Sequence, residues 1–145
     1  MIAAPVANDP ASIFHTLAPD YSHLGREHFL VLPVDVQKRI IGVHTASVGS
    51  LTASLVHPRE VFQPAILASA AAVVVVHNHP SGDPEPSAAD RAVTKRLIKV
   101  GELIGIPLVD HVIIGDGRWV SLRERMAGAW HMATMDATNI GEATL

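Results

Sequence analysis

The feature that most constrains the fold is an apolar run over residues 71–77, in which residues 73–76 are four consecutive valines. A strand that is apolar at every position is typical of a sheet covered on both faces by helices. A second apolar run covers residues 107–114, and the segment between the two runs predicts a helix over residues 87–104. That helix has an apolar stripe at helical spacing, formed by Val93, Leu97, Val100 and Ile104. The sequence therefore predicts an α/β domain with a mixed β-sheet flanked by helices.

Shorter elements are predicted on either side of this unit. Strands are expected over residues 27–35, 39–48, 51–56 and 118–121, and helices over residues 9–18, 57–69 and 122–126. Asp9 is expected to cap the first helix and Pro19 to end it. Pro33, inside the first strand, predicts a sheet edge or a bulge. The predicted domain covers residues 9–126, between an N-terminal tail at 1–8 and a loosely ordered C-terminal tail at 127–145.

Length and composition limit the class of protein. A chain of 145 residues with 48% hydrophobic and 17% charged side chains is typical of one globular domain. The absence of cysteine excludes disulfides, thiolate metal sites and cysteine nucleophiles, so any metal must be held by nitrogen and oxygen. The longest apolar stretch, residues 65–76, is shorter than the ~20 residues that a membrane-spanning helix needs. With no leader-like start, the sequence predicts a cytoplasmic protein that does not associate with membranes.

The charge balance argues against a protein that mainly binds nucleic acid. The formal net charge is −3 and aromatic residues make up only 4% of the chain, whereas such domains are usually basic. Arg91, Lys95 and Lys99 do recur at helical spacing on the predicted long helix. We interpret them as a solvated helix face, with a phosphate-contacting ridge as the alternative.

Four polar residues surround the end of the first apolar run. His77 and His79 are one residue apart, so alternation along a strand places both side chains on one face. Seven residues separate His79 from Ser87, and two residues separate Ser87 from Asp90, at the start of the predicted helix. Two imidazoles and one carboxylate suit a zinc ion better than magnesium or calcium. Three protein ligands leave a fourth position for water, which is typical of catalytic zinc sites.

Each half of this pattern also has a simpler interpretation. A His-x-His pair alone is more often structural than metal-binding. Ser87 and Asp90 alone fit an S-x-x-D capping box, and the helix dipole favours a carboxylate at that position. The structural and metal-binding roles are compatible. The conjunction of all four residues at one strand–loop–helix junction is what indicates a metal site.

The spacing of these four residues resembles the JAMM motif of the MPN/JAB metalloprotease superfamily. The surrounding sequence resembles the RadC-like JAB domain branch in four segments: EHF at 27–29, HPRE at 57–60, HNHPSGDP at 77–84, and Asp110-His111 followed by IIG at 113–115. The resemblance covers residues 9–122. It implies a single JAB/MPN-type domain with a cytidine-deaminase-like fold and one zinc ion on His77, His79 and Asp90.

The resemblance also implies a mechanism and a general base. Glu27 occupies the position of the base, although a glutamate at a strand start would by itself indicate only a solvated side chain. Zinc would activate a bound water, Glu27 would transfer the proton, and the Ser87 hydroxyl would stabilise the oxyanion. The predicted activity is that of a metallopeptidase hydrolysing peptide or isopeptide bonds, with a peptide or protein as substrate.

Two other functions remain open at this point. RadC-like proteins are traditionally described as DNA repair proteins, so a DNA-associated accessory role is the main alternative. Longer members carry a helix-hairpin-helix region that this sequence is expected to lack, which weakens that alternative. The third is a binding module that holds zinc without turnover, against which the presence of Glu27 and Ser87 argues.

Overall fold

A computed structural model of the protein describes residues 5–49 and 56–130. The elements in chain order are α1 (Pro10–Tyr21), β1 (His28–Val34), β2 (His44–Val48), α2 (Pro58–Leu67), β3 (Ala72–Asn78), α3 (Ala88–Ile104), β4 (Leu108–Ile114), β5 (Trp119–Ser121) and α4 (Leu122–Arg125). The strands form one sheet in the order β2-β1-β3-β4-β5. Strands β3 and β4 are parallel and the other neighbouring pairs are antiparallel. The chain is a small α/β domain with a mixed sheet and helices, as the apolar runs predict.

The four valines of β3 divide the core into two layers. Val73 and Val75 belong to the apolar cluster that β3 forms with α2 and α3. Val74 and Val76 point to the opposite face and pack in the cluster that includes α1. All four side chains are fully buried, because a central strand with helices on both sides has no solvent face.

Helix α3 forms the crossover between the two parallel strands. It spans 17 residues between its N-cap Ser87 and its C-cap Gly105, whose φ of 76° is left-handed and suits glycine. Parallel strands need such a crossover connection. The carboxyl end of β3 therefore lies beside the N-terminus of α3, which is where α/β folds commonly place ligands.

Helix α1 differs from its predicted end. Asp9 caps it as expected, accepting a hydrogen bond from the Ser12 backbone N–H. The prediction that Pro19 ends the helix is wrong, because α1 continues to Tyr21. Proline removes only its own backbone donor, and the last turn still closes because the N–H and Oγ of Ser22 both donate to the Ala18 carbonyl.

Pro33 lies where the pairing of β1 becomes irregular. Strand β1 lies inside the sheet, so Pro33 is not at an edge, but the pairing shifts by one residue across it, from Val31 opposite His44 to Val34 opposite Ile40. The Pro33 carbonyl accepts from Ile41 N, so the missing Pro33 N–H faces the same neighbouring segment. The ladder is interrupted there and resumes only as an isolated bridge between Val34 and Ile40. The strand predicted over 39–48 is therefore regular only over His44–Val48.

The ends of the predicted domain are partly described. In the predicted N-terminal tail, Ala7 is buried and donates a hydrogen bond to the Lys38 carbonyl. At the other end, residues 127–130 are helical rather than loosely ordered, and buried Trp130 donates from Nε1 to the Leu108 carbonyl. Most of the strand predicted over 51–56, and the predicted tail from residue 131, lie outside the described residues.

None of the helices in the described ranges is long and apolar enough to cross a membrane.

Packing of α3 on the sheet predicts that alanine substitutions of two leucines in that helix lower the free energy of unfolding by very different amounts. Leu97 is 1% exposed and Leu103 is 75% exposed. We expect Leu97→Ala to lower the free energy of unfolding by about 2–5 kcal/mol, because it leaves a cavity in the core. Leu103→Ala should change it by no more than about 0.5 kcal/mol. Urea unfolding of both variants checks this, and equal losses would contradict the orientation of α3.

Candidate metal centre

The two histidines of the His-x-His pair lie at the carboxyl end of β3. His77 is the penultimate residue of the strand and is fully buried, whereas the side chain of His79, just beyond the strand, is 14% exposed. The ring of Phe29 on β1 stacks on His77 with 5.9 Å between ring centroids. The pair is therefore supported by the core on one side and reaches solvent at His79.

Asp90 joins the two imidazoles from the first turn of α3. Nε2 of His77 lies 3.0 Å from Nε2 of His79 and 3.1 Å from Oδ1 of Asp90. Nε2 of His79 lies 3.2 Å from Oδ2 of Asp90. The candidate ligand atoms of all three residues fall within 4.8 Å of one another. Among residues 5–49 and 56–130, this is the one cluster of His, Asp and Glu side chains that could hold a metal ion.

Asp90 is also part of the helix cap. Ser87 Oγ accepts from Asp90 N at 3.0 Å, and Asp90 Oδ2 accepts from Ser87 N at 2.8 Å, which forms a complete capping box. Ser87 and Asp90 therefore form the capping box that their spacing predicts, and Asp90 contacts both histidines as well. One carboxylate satisfies the start of α3 and faces both imidazoles.

Local hydrogen bonds hold the loop that connects the histidines to α3. His79 N donates to the Ile114 carbonyl, Gly82 N donates to the His79 carbonyl, and Asp116 N donates to the Gly82 carbonyl. Gly115 lies so close to this loop that a Cβ would clash with the Gly82 carbonyl oxygen and would lie 2.7 Å from Cδ of Pro84. The loop thus packs closely against the carboxyl end of β4.

The ionisation of the cluster follows from its burial and its close contacts. Burial alone would raise the pKa of Asp90, but the hydrogen bonds to His77 and His79 outweigh it and hold that pKa well below its usual range. Burial likewise opposes a charge on His79, yet the contacts with Asp90 and Asp83 and the charge of Glu27 raise its pKa overall. Asp90 is therefore a carboxylate at neutral pH, as metal binding requires.

The polarity of the donors shows that the cluster fits a cation. His79 Nδ1 lies 2.8 Å from the Asp83 carbonyl, which can only accept, so Nδ1 carries the proton and Nε2 of the neutral ring presents a lone pair. That lone pair points toward the Asp90 carboxylate and His77. Acceptors that converge in this way need a shared proton or a metal ion between them. Two imidazole nitrogens and one carboxylate are a common ligand set for zinc.

His111 lies directly behind His77 and is not one of the converging groups. Its Nε2 is 2.7 Å from His77 Nδ1, and its Nδ1 is 2.7 Å from Thr94 Oγ1. Burial keeps the pKa of His111 well below its usual value. His111 is thus a hydrogen-bonded core histidine. Thr94 was missed in the sequence, although it lies one helical turn after Asp90.

The two residues expected to act on the substrate lie at the edges of this cluster. Glu27 immediately precedes β1, is partly buried, and acts electrostatically on His79. Ser87 is exposed at the N-terminus of α3. Its hydroxyl accepts one hydrogen bond, from Asp90 N, and so retains a proton that it can donate.

Asn78 is a further residue that the sequence analysis did not single out. It lies between the two histidines and is 1% exposed. Its Nδ2 donates to the Arg26 carbonyl at 2.9 Å, and its Oδ1 accepts from His28 N at 2.7 Å. The Asn78 side chain thus holds the backbone on both sides of Glu27. A polar residue inside a fully buried strand is the signal that could have indicated it.

Asp110, from the Asp-His pair that contributed to the family resemblance, has a structural role. Its carboxylate accepts from Ser121 Oγ and His111 N, each at 2.7 Å, and from Arg123 N at 3.1 Å. These contacts tie β4 to β5 and to the start of α4.

Comparison with known proteins decides the family. A model of the RadC-like JAB domain matches residues 7–127. The chain belongs to the RadC-like JAB domain family. This is the family that the motifs around His77, His79 and Asp90 resemble.

Several curated relatives of this RadC-like JAB domain are named UPF0758 proteins. One from Caldanaerobacter subterraneus subsp. tengcongensis is 51% identical over 116 residues, which are 80% of this chain and 50% of the relative. One from Desulfitobacterium hafniense is 48% identical over 124 residues, covering 86% and 55%. One from Methanococcoides burtonii is 50% identical over 118 residues, covering 81% and 50%. The chain therefore spans about half the length of these relatives.

The tight seat of the loop on β4 predicts a specific defect. We expect Gly115→Ala to displace the segment around Gly82 and Pro84, and with it His79, so that affinity for a divalent metal falls about 10-fold or more, as for other disturbed ligand supports. Gly128→Ala is the control, because a Cβ there meets nothing within 4 Å. Competition with a chromophoric chelator, with zinc as the probe, measures both variants. Equal affinities would show that this contact does not position His79.

Proposed function

We propose that this RadC-like JAB domain is a zinc-dependent hydrolase of peptide or isopeptide bonds, with His77, His79 and Asp90 holding one zinc ion. The observation that carries the proposal is the convergence of two imidazole nitrogens and a carboxylate beside a solvent-exposed edge at His79. Three protein ligands are typical of catalytic rather than structural zinc. When bound, zinc lowers the pKa of water and polarises the carbonyl of the scissile amide.

Glu27 is the proposed general base. Its charge acts on His79, and Asn78 anchors the backbone on both sides of it to the strand that carries the histidines. This arrangement supports a carboxylate held beside the ligand cluster by backbone anchored on both sides, immediately before β1, rather than on a free loop. Glu27 takes a proton from water and delivers it to the leaving amine.

Ser87 is the proposed donor to the oxyanion. Its position at the N-terminus of α3 places the hydroxyl in the favourable field of the helix dipole. The capping contact uses Ser87 Oγ as an acceptor and leaves its proton for the substrate oxygen. A single donor of this kind contributes about 3 kcal/mol to stabilising the transition state.

The substrate and setting belong to the same proposal. A peptide or protein substrate follows from amide chemistry, and a cytoplasmic location stays a prediction from the sequence. The exposed positions of Arg91, Lys95 and Lys99 on α3 agree with a solvated helix face. Association with DNA stays the alternative prediction, because the same exposure also fits a phosphate-contacting ridge.

Exchange of Glu27 for its amide isostere separates catalysis from metal binding. We expect Glu27→Gln to bind zinc as the wild type does but to lose about 10²- to 10⁴-fold in kcat/KM, because the base is gone. Hydrolysis of a fluorogenic peptide library by zinc-loaded protein provides the assay, and Asp90→Asn, which should lose zinc as well as activity, provides the control.

A chelator should abolish the wild-type activity and added zinc should restore it. Unchanged activity of Glu27→Gln would contradict the role of Glu27. Zinc retained in every sample without cleavage of any peptide would favour a binding module over a hydrolase. Protein that neither contains nor takes up zinc would overturn the proposal.

A further inference from the structure

A buried chain of hydrogen bonds leads away from the candidate centre through three residues. His77 Nδ1 lies 2.7 Å from His111 Nε2, and His111 Nδ1 lies 2.7 Å from Thr94 Oγ1. Thr94 Oγ1 in turn lies 2.8 Å from the backbone carbonyl of Asp90. His77, His111 and Thr94 are all fully buried, so water cannot replace any of these contacts.

We propose that the Thr94–His111 pair determines which nitrogen of His77 carries the proton, and so leaves Nε2 of His77 free to ligate the metal. The inference rests on the metal site of the proposed function, which it deepens. Thr94 and His111 are positioning residues in this account, since neither is one of the converging ligand groups.

The direction of the chain follows from its last contact. A carbonyl oxygen only accepts, so the single proton of the Thr94 hydroxyl is donated to the Asp90 carbonyl. Thr94 Oγ1 must then accept from His111, which places the His111 proton on Nδ1. His111 is fully buried and, within the described part of the chain, its two ring nitrogens face only His77 and Thr94, with no carboxylate to balance a charge, so the ring is neutral and carries a single N–H. His111 Nε2 is therefore an acceptor.

The protonation of His111 in turn determines the direction of its hydrogen bond with His77. Because His111 Nε2 accepts, His77 must donate from Nδ1. A neutral His77 then has its lone pair on Nε2, which is the atom that faces His79 and Asp90. His79 reaches the same tautomer by a shorter route, through the Asp83 carbonyl. Hydrogen bonds of this kind commonly orient metal-ligating histidines and raise their affinity.

If these hydrogen bonds ran in the opposite direction, a proton on Nε2 of His77 would block the metal position. If the Thr94 hydroxyl donated to His111 Nδ1, the His111 proton would lie on Nε2 and would be donated to His77 Nδ1. A neutral His77 would then carry its proton on Nε2, between itself and Asp90, where the metal belongs. The contact between Thr94 and the Asp90 carbonyl is what selects against this arrangement.

The direct test is the tautomer of His111 in metal-free wild-type protein, measured by long-range ¹H–¹⁵N correlation of the histidine rings at pH 8.5. We expect a proton on Nδ1 of both His111 and His77, with His111 Nε2 unprotonated. A proton on His111 Nε2 would overturn the proposal. This measurement needs no variant and no metal.

A matched pair of variants tests the consequence for the metal. Thr94→Ser keeps the hydroxyl, and Thr94→Val removes it with little change in shape. We expect Thr94→Val to lose the single His111 tautomer and to bind zinc about 10- to 100-fold more weakly, while Thr94→Ser stays within about 3-fold of the wild type. Chelator competition measures the affinity, and thermal melting reports whether each variant is folded.

The possible failures are distinguishable. Folded Thr94→Val that binds zinc as tightly as Thr94→Ser would overturn the inference and leave the hydrolase proposal intact. Wild-type protein that takes up no zinc would overturn the hydrolase proposal. In that case the ring spectra of the same metal-free sample would still decide whether Thr94 and His111 set the protonation of His77.

Discussion

The carboxylate of Asp90 is the group on which the rest of the candidate centre depends. Its Oδ2 accepts from the Ser87 backbone in the capping box, and its two oxygens face the Nε2 atoms of His77 and His79. Because the capping box defines where α3 begins, the position of the carboxylate is set by helix initiation rather than by a loose loop. The Asp90 backbone carbonyl also receives the Thr94 hydroxyl. One residue therefore joins the helix start, the ligand set and the hydrogen bonds behind it.

The buried strand pair provides the rigid side of this arrangement. Strand β3 is buried at every position and pairs in parallel with β4, which places Val75 opposite His111 and His77 opposite Ile113. That register brings His111 behind His77, and the end of β4 supports the loop through Gly115. The catalytic proposal thus rests on side chains whose positions follow from close packing, which is the condition for a preorganised site.

The sequence predicted β3, α3 and β4 well because the patterns that indicate these elements lie within each element. The continuous apolar run and the 3.6-residue stripe located β3, α3 and β4 to within one residue at each end, and the converging side chains all lie within the short segment between His77 and Asp90. The contacts that were missed depend on strand pairing. His111 lies 34 residues from His77 and Asn78 lies 52 residues from Arg26, and no local pattern encodes those registers. Strand β2 is shorter than predicted for a similar reason, because its length depends on which neighbouring segment the missing N–H of Pro33 faces.

The central claim is that two imidazoles and one carboxylate of this strand–loop–helix junction bind a single zinc ion. X-ray absorption at the zinc K-edge of protein loaded with one equivalent of zinc tests it most directly. The account predicts nitrogen and oxygen neighbours at about 2.0–2.2 Å, with the multiple-scattering features of two imidazole rings per zinc. A spectrum without imidazole scattering, or one that is unchanged when His77 and His79 are both replaced by alanine, would contradict it.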